Sequence, residues 1–321
     1  MHTVARLDSF LGKHLSPMVF ISTIVGVSFP AVFSPLTRFS LLLMFALTFI
    51  NSLDAGFRDL WACFRRPAAM AVILGLIHLV SPLVALATGR LLFPADPLLT
   101  TGLVLEFAIP TGVMALVWAS ISGGNGPLTL SIVLLDNLLA PFLLPLTLKV
   151  LVGSQVQVAI GPMMKDLMIM VGIPAILAMS LHQVLGREKA RKAKKDLGLC
   201  TKLVIILIAA SNSSGIADEV RSLTPKLVWV TLVSLVLCIL CFYVGYKFAR
   251  LARLDHPSSV SASLNTGLRN ISAGAVLARA YFPAEVLFPV VICTLFMQMV
   301  AAESVKRLKT VGEKLAAQQK I

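Results

Sequence analysis

Long apolar runs, each closed by a short cluster of polar residues, recur from one end of the chain to the other. Ten of them are long enough to cross the roughly 30 Å hydrocarbon layer as helices. They lie at roughly 17–34, 38–55, 67–93, 98–121, 127–151, 161–185, 201–217, 225–249, 258–279 and 283–303. FRDLWACFRRP separates the second run from the third, SGGNGP the fourth from the fifth, and GREKARKAKKD the sixth from the seventh. The weak alternation of an outer-membrane barrel strand is absent, so the pattern predicts helices. Ten helices divide into two five-helix halves, residues 1–155 and 156–321. An odd number of spans per half makes the halves inverted repeats, a common transporter construction.

Composition agrees. Hydrophobic residues make up 57% of the 321 positions, charged residues only 13%, and the mean hydropathy is +0.89. A soluble domain would carry roughly a quarter charged residues. The net charge of +13 is a matter of topology rather than of nucleic acid, because cytoplasmic loops collect Lys and Arg. Twenty of the 28 basic residues fall on the side of the N-terminus, and seven on the other. Both termini are therefore expected in the cytoplasm of a multi-pass protein of the cell (plasma or inner) membrane. The basic loop around REKARKAKKD and the tail ESVKRLKTVGEKLAAQQKI are expected to be solvated near anionic lipid. The first apolar run lacks a clear cleavage site and is expected to stay as a helix. The five cysteines are odd in number and scattered, which predicts neither a disulfide framework nor a metal cluster.

Two spans are interrupted at matching places in the two halves. The fourth, LEFAIPTGVMALVWAS, carries PTG at 110–112, and the ninth, SLNTGLRNISAGAVLA, carries NTGLRN at 265–270. Paired broken helices near the midplane point to a transporter's binding site. The expected architecture is thus all-α and membrane-integral, with spans four and nine broken and crossing.

At these segments the chain resembles the bile acid:sodium symporter family, and the likeness extends over nearly all ten spans. In sodium-driven members the fourth span reads Pro-Gly-Gly, then Ser-Asn three residues on. Here the matching positions are Pro110, Thr111 and Gly112, then Ala115 and Leu116. The family's hydroxyl-rich fifth span is matched by Thr129, Val133 and Pro141. The ninth-span Glu-x-Gly-x-Gln-Asn is matched by Asn265, Thr266, Gly267, Leu268, Arg269 and Asn270. The resemblance implies the fold and the transport of an organic anion. It also implies altered or absent sodium coupling, proton-coupled or facilitative instead, because Ala115, Leu116, Val133 and Arg269 replace ligating residues. A sodium symporter with ligands elsewhere, or a non-transporting sensor, are the alternatives. No cofactor is expected. The partners expected are a small organic anion and membrane lipid, with no nucleic acid.

An arginine near mid-bilayer costs at least about 2.5–3.5 kcal/mol on insertion scales, so Arg269 needs a partner. Asp136 in SIVLLDNLLAPF is the expected one. As a fixed pair the two would stand in for the lost sodium. Alternatively, the guanidinium grips a substrate carboxylate with its two-pronged geometry. Thr111, Gly112, Asn265, Thr266, Asn270 and Ser272 complete the candidate substrate or ion site, together with Glu106. Either Glu106 or His78 could carry a coupling proton, and for each the alternative is a neutral group hydrogen-bonded within the bundle. No nucleophile–histidine arrangement, HExxH or paired acidic motif falls in a span, so no enzyme is expected.

Overall fold

In a computed structural model the chain is described over residues 7–8, 10–12, 14–222 and 224–318. Arg6, Lys13 and Lys320 of the charge asymmetry lie outside the described residues. The described chain is helical throughout and contains no strand. Seven helical segments are long and apolar enough to cross a membrane: Pro30–Ser52, Pro67–Leu92, Gly126–Val152, Ile160–Leu185, Gly198–Arg221, Pro225–Leu251 and Ala284–Leu315. The three other expected spans are short (Pro17–Ser28) or interrupted (the fourth and the ninth). Large apolar side chains such as Ile21, Leu42, Leu79, Val150, Val184 and Val236 cover the outside. In water such a surface would be an aggregation hazard, and in a bilayer it is the lipid face.

The helices used below are α1 (Leu15–Ser28), α2 (Ser40–Ser52), α3 (Pro67–Leu92), α4 (Pro97–Ala108), α5 (Met114–Ser122), α6 (Gly126–Val152), α7 (Ile160–Leu185), α8 (Arg187–Asp196) and α9 (Gly198–Ser213). They continue with α10 (Pro225–Leu251), α11 (His256–Gly267), α12 (Ile271–Tyr281), α13 (Ala284–Cys293) and α14 (Met297–Gln318). Their boundaries have local causes. Asn125, Thr224 and Asp255 each accept a hydrogen bond from a backbone N–H three residues on, and each precedes a helix with Pro in its first positions. That pairs a side-chain cap with a residue whose missing N–H costs nothing there.

Proline also explains a departure inside α3. Pro82 cannot donate to the carbonyl of His78, and its ring crowds it. The helix widens to a π turn over Leu76–Val80, with the Ser81 N–H and hydroxyl both donating to the Leu76 carbonyl. A second π turn, Met168–Gly172 in α7, precedes Pro174 in the same way.

Packing brings the two interrupted spans to the middle of the molecule. α4 packs on α13 and on the second half of α3, α11 packs on α10, and α6 lies beside α4, α5 and α11. Buried Phe107, Leu103, Leu144 and Phe288 belong to the core that surrounds the breaks. The basic loop is itself a helix, α8, with only Ala190 buried, and its Lys194 reaches Asp54 at 2.6 Å.

Candidate functional site

Pro110 sets the first break. The residue before a proline is pushed out of the helical region, and Ile109 sits at ψ 150° as α4 ends. The second break lies at Leu268, which is extended (φ −98°, ψ 108°), after which Asn270 caps α12 by accepting from the Ala273 N–H. The two extended stretches then pair. Thr111 and Arg269 form an antiparallel bridge, flanked by Gly112 N–H donating to the Leu268 carbonyl at 2.9 Å and Asn270 N–H to the Pro110 carbonyl at 2.8 Å. Backbone groups freed inside a membrane must find partners within the protein, and here each break serves the other.

The charges complete that accounting. Arg269 Nη1 donates to the Ile109 carbonyl at 3.3 Å, at the C-terminal, partially negative end of α4. Asp136 Oδ2 accepts from the Thr111 N–H at 2.6 Å, just ahead of the partially positive start of α5. Cation at the C-terminus and anion at the N-terminus is the arrangement that helix dipoles favour. The expected Asp136–Arg269 ion pair is therefore corrected: no such contact forms, and each charge binds the backbone of the same break. The second oxygen of Asp136 is taken by His78 Nε2 at 2.7 Å. His78 and Asp136, placed in the sequence as separate candidates, form one pair. Its Asp136 side chain is fully buried, while that of His78 is 13% exposed.

Arg269 remains under-satisfied. It is 3% exposed, yet Nε and Nη2 have no hydrogen-bond partner. These two N–H groups form one edge of the guanidinium, the edge that takes a carboxylate bidentately. Its interacting ionisable neighbours include Cys241, Asp136 and Cys238. An unpartnered buried donor typically costs about 1–3 kcal/mol, so the vacant edge needs an explanation.

The other candidates divide. Thr111 Oγ1 donates to the Leu268 carbonyl at 3.0 Å and lies 3.4 Å from Asn265 Oδ1. Asn265 itself donates to the Ser261 carbonyl at 2.8 Å, and Thr266 Oγ1 is buried without a partner. Asn270 and Ser272 are half-buried, and the Ser272 carbonyl accepts from Asn212 of α9 at 3.4 Å. Gly112 approaches Arg269 so closely that a Cβ there would lie 3.0 Å from its carbonyl oxygen. Glu106 is fully buried in α4, where it takes the Ser234 hydroxyl on both oxygens at 2.8 and 2.9 Å.

The positions matched to sodium ligands offer little oxygen. Ala115 and Val133 are buried among apolar side chains, and Thr129 Oγ1 is engaged with Ser261 at 2.8 Å. Among the described residues no group of three His, Cys, Asp or Glu could hold a metal ion. One contributor escaped the sequence reading. Arg279, one of the seven basic residues on the side away from the N-terminus, turns inward to cap the end of α9, donating to the Ser211 carbonyl at 2.7 Å and the Ser214 hydroxyl at 3.0 Å.

Comparison with known proteins bears on this arrangement. The model of the Sodium Bile acid symporter family matches residues 41–247. That stretch includes His78, the α4–α5 break and Asp136, while Arg269 lies beyond it. The chain is 38% identical over 256 residues to the uncharacterized protein YbaS of Bacillus subtilis (strain 168), covering 80% of this chain and 84% of that one. It is 26% identical over 286 residues to the uncharacterized sodium-dependent transporter YocS of the same organism, covering 88% and 86%. To the probable sodium/metabolite cotransporter BASS2, chloroplastic, of Oryza sativa subsp. japonica it is 24% identical over 268 residues, covering 82% and 62%.

Proposed function

The chain belongs to the Sodium Bile acid symporter family, and on that premise we propose that it is a secondary transporter of a small organic anion, bound where the two broken spans meet. The observation that carries this reading is the buried Arg269 with Nε and Nη2 unpartnered. A permanent cation with a vacant bidentate edge, in a chain otherwise poor in buried cations, is chemistry for a carboxylate or similar oxyanion. In this reading Thr111, Gly112, Asn265, Thr266, Asn270 and Ser272 form the site with Arg269, and Glu106 lies on the helix that ends at the first break.

The proposed frame is ten spans in two inverted halves, residues 1–155 and 156–321, in the cell membrane with both termini cytoplasmic. Its support is the recurrence of an interrupted helix at corresponding places and the bias of basic residues. Sodium is not required in this reading. Arg269 Nη1 already occupies the freed carbonyl of Ile109, the kind of acceptor that a half-helix end offers to a cation, and Ala115, Leu116 and Val133 supply no side-chain oxygen. The names of YocS and the rice protein favour a second reading, sodium symport through oxygens elsewhere in the chain.

Proteoliposomes separate the two. Uptake of labelled pyruvate, benzoate and taurocholate is measured in sodium and in choline buffers, for the wild type and Arg269→Gln. The expected result is uptake of at least one anion, equal in both buffers and lost in the variant. A saturable sodium requirement favours the second reading, and no uptake of any anion removes the first.

A further inference from the structure

We propose that His78 and Asp136 act as one proton-binding unit whose occupancy is coupled to anion binding at Arg269. This rests on the transport reading above and names its coupling ion. Asp136 is an acceptor on both oxygens: Oδ1 takes the His78 Nε2–H at 2.7 Å and Oδ2 the Thr111 N–H at 2.6 Å. The acceptor fixes the tautomer, so the proton of neutral His78 is on Nε2, and Nδ1, without a partner among the described residues, is free to take another. His78 is the less buried end of the unit. It lines a cleft of about 220 Å³ on the lipid-facing side with Leu79, Leu83, Leu146, Thr147, Val150 and Leu151, while Asp136 is sealed inside. The π turn forced by Pro82 is what sets His78 at this place, and such turns are frequent at functional sites.

Charge supplies the coupling. With neutral His78, the unit carries one negative charge and Arg269 one positive, and both are held by the backbone of one break. A proton added at His78 Nδ1 gives an imidazolium–carboxylate pair, and the site as a whole becomes cationic by one. An entering anion then cancels a net charge instead of creating one, so proton and anion favour each other's binding, and by linkage the effect is reciprocal. Thr111 provides the mechanical connection, since its N–H is held by Asp136 while its neighbours Pro110 and Gly112 pair with Asn270 and Leu268 on either side of Arg269.

Other titratable groups on the elements packed around the unit are engaged or remote. Glu106 is bound to Ser234, His182 to the Leu53 carbonyl, Asp59 to the Gly56 N–H, and Asp166 to Tyr281. Arg90 reaches the Leu151 carbonyl and His256 meets the Tyr246 hydroxyl. Arg58, Arg65 and Lys165 are exposed. Lys149, on the helix of Asp136, is exposed too, Cys238 and Cys241 of α10 are buried thiols, and Arg269 is the buried permanent charge at the same break.

Two measurements on the full chain in lipid test this. The first needs no substrate: infrared difference spectra between about pH 8 and about pH 5, the range where histidine changes charge, for wild type, His78→Gln and Asp136→Asn. Wild type is expected to show one imidazole protonation coupled to a carboxylate band, absent from His78→Gln and altered in Asp136→Asn. The amide introduced by His78→Gln can still donate to Asp136, so this variant separates proton binding from folding. A wild type with no such event, or an imidazole signal indifferent to Asp136→Asn, overturns the proposal. The second is the pH profile of sub-saturating uptake of whichever of pyruvate, benzoate or taurocholate moves. Coupling of ordinary strength, about 5–150-fold, predicts on the order of tenfold faster uptake at about pH 6 than at about pH 8, and a flat profile in His78→Gln. A profile unchanged in His78→Gln overturns it. If none of the three anions moves, the transport reading fails, and the infrared result still decides whether the proton site exists.

Discussion

Arg269 and Ile109 are joined across the two breaks: the guanidinium Nη1 donates to the carbonyl at 3.3 Å, where α4 gives up its helical path. Asp136 meets the same break from its other side through the Thr111 N–H. The two opposite charges are thus held by one stretch of backbone and not by each other.

This arrangement sets the outcome of a double-mutant cycle. Asp136→Asn leaves one of two donors without an acceptor, and Arg269→Gln frees the Ile109 carbonyl. Each is expected to destabilise by about 1–3 kcal/mol. Because they share no direct bond but act on one stretch of backbone, the double variant should stay well below wild type, departing from the sum by about 0.5–3 kcal/mol. Thermal unfolding in detergent measures this, and recovery of most of the loss in the double variant would establish a direct pair.

Gly267 and Phe242 offer a steric test. A Cβ on residue 267 would stand 2.4 Å from the Phe242 ring, which is itself buried. Gly267→Ala should therefore cost about 1–3 kcal/mol by overpacking, and Phe242→Leu in the same chain should return part of it. Equal stability of Gly267→Ala and the wild type would show that α10 and α11 can separate at no cost.

The cap of α11 gives a pH dependence outside the membrane. Partial burial pushes the Asp255 carboxyl up, but the Ser258 hydroxyl and N–H and the Arg66 guanidinium outweigh it and hold the group below the usual carboxylate range. A depressed folded value stabilises above the unfolded value and is lost as pH falls through the folded one. Asp255→Ala should cost about 0.5–2 kcal/mol near neutral pH, and the difference from wild type should shrink in acid. A constant difference down to acid pH would separate the cap from its charge.

Topology is testable at α8, where Lys192 lies on a helix whose only buried residue is Ala190. Lys192→Cys, with the native cysteines replaced, should resist an impermeant thiol reagent applied outside intact cells and react once the membrane is opened. Labelling from outside would invert the assignment of the termini.

Much of this protein is determined locally and was legible in its sequence. Apolar runs closed by polar clusters specify membrane helices, because a lipid-facing helix must be apolar over its whole length. Pro110 specifies the first break and Asn125, Thr224 and Asp255 specify helix starts, because these effects act within a turn of the residue. The partners of the buried charges are another matter. From the sequence Asp136 is expected to meet Arg269. The choice fell to His78, 58 residues away, because a π turn and the packing of α3 against α6 set that ring beside the carboxylate. Arg279 caps the end of α9 and Glu106 binds Ser234 for the same reason. A side chain's direction across a helix interface is fixed by how the helices rotate and pack together, and only the tertiary structure decides that.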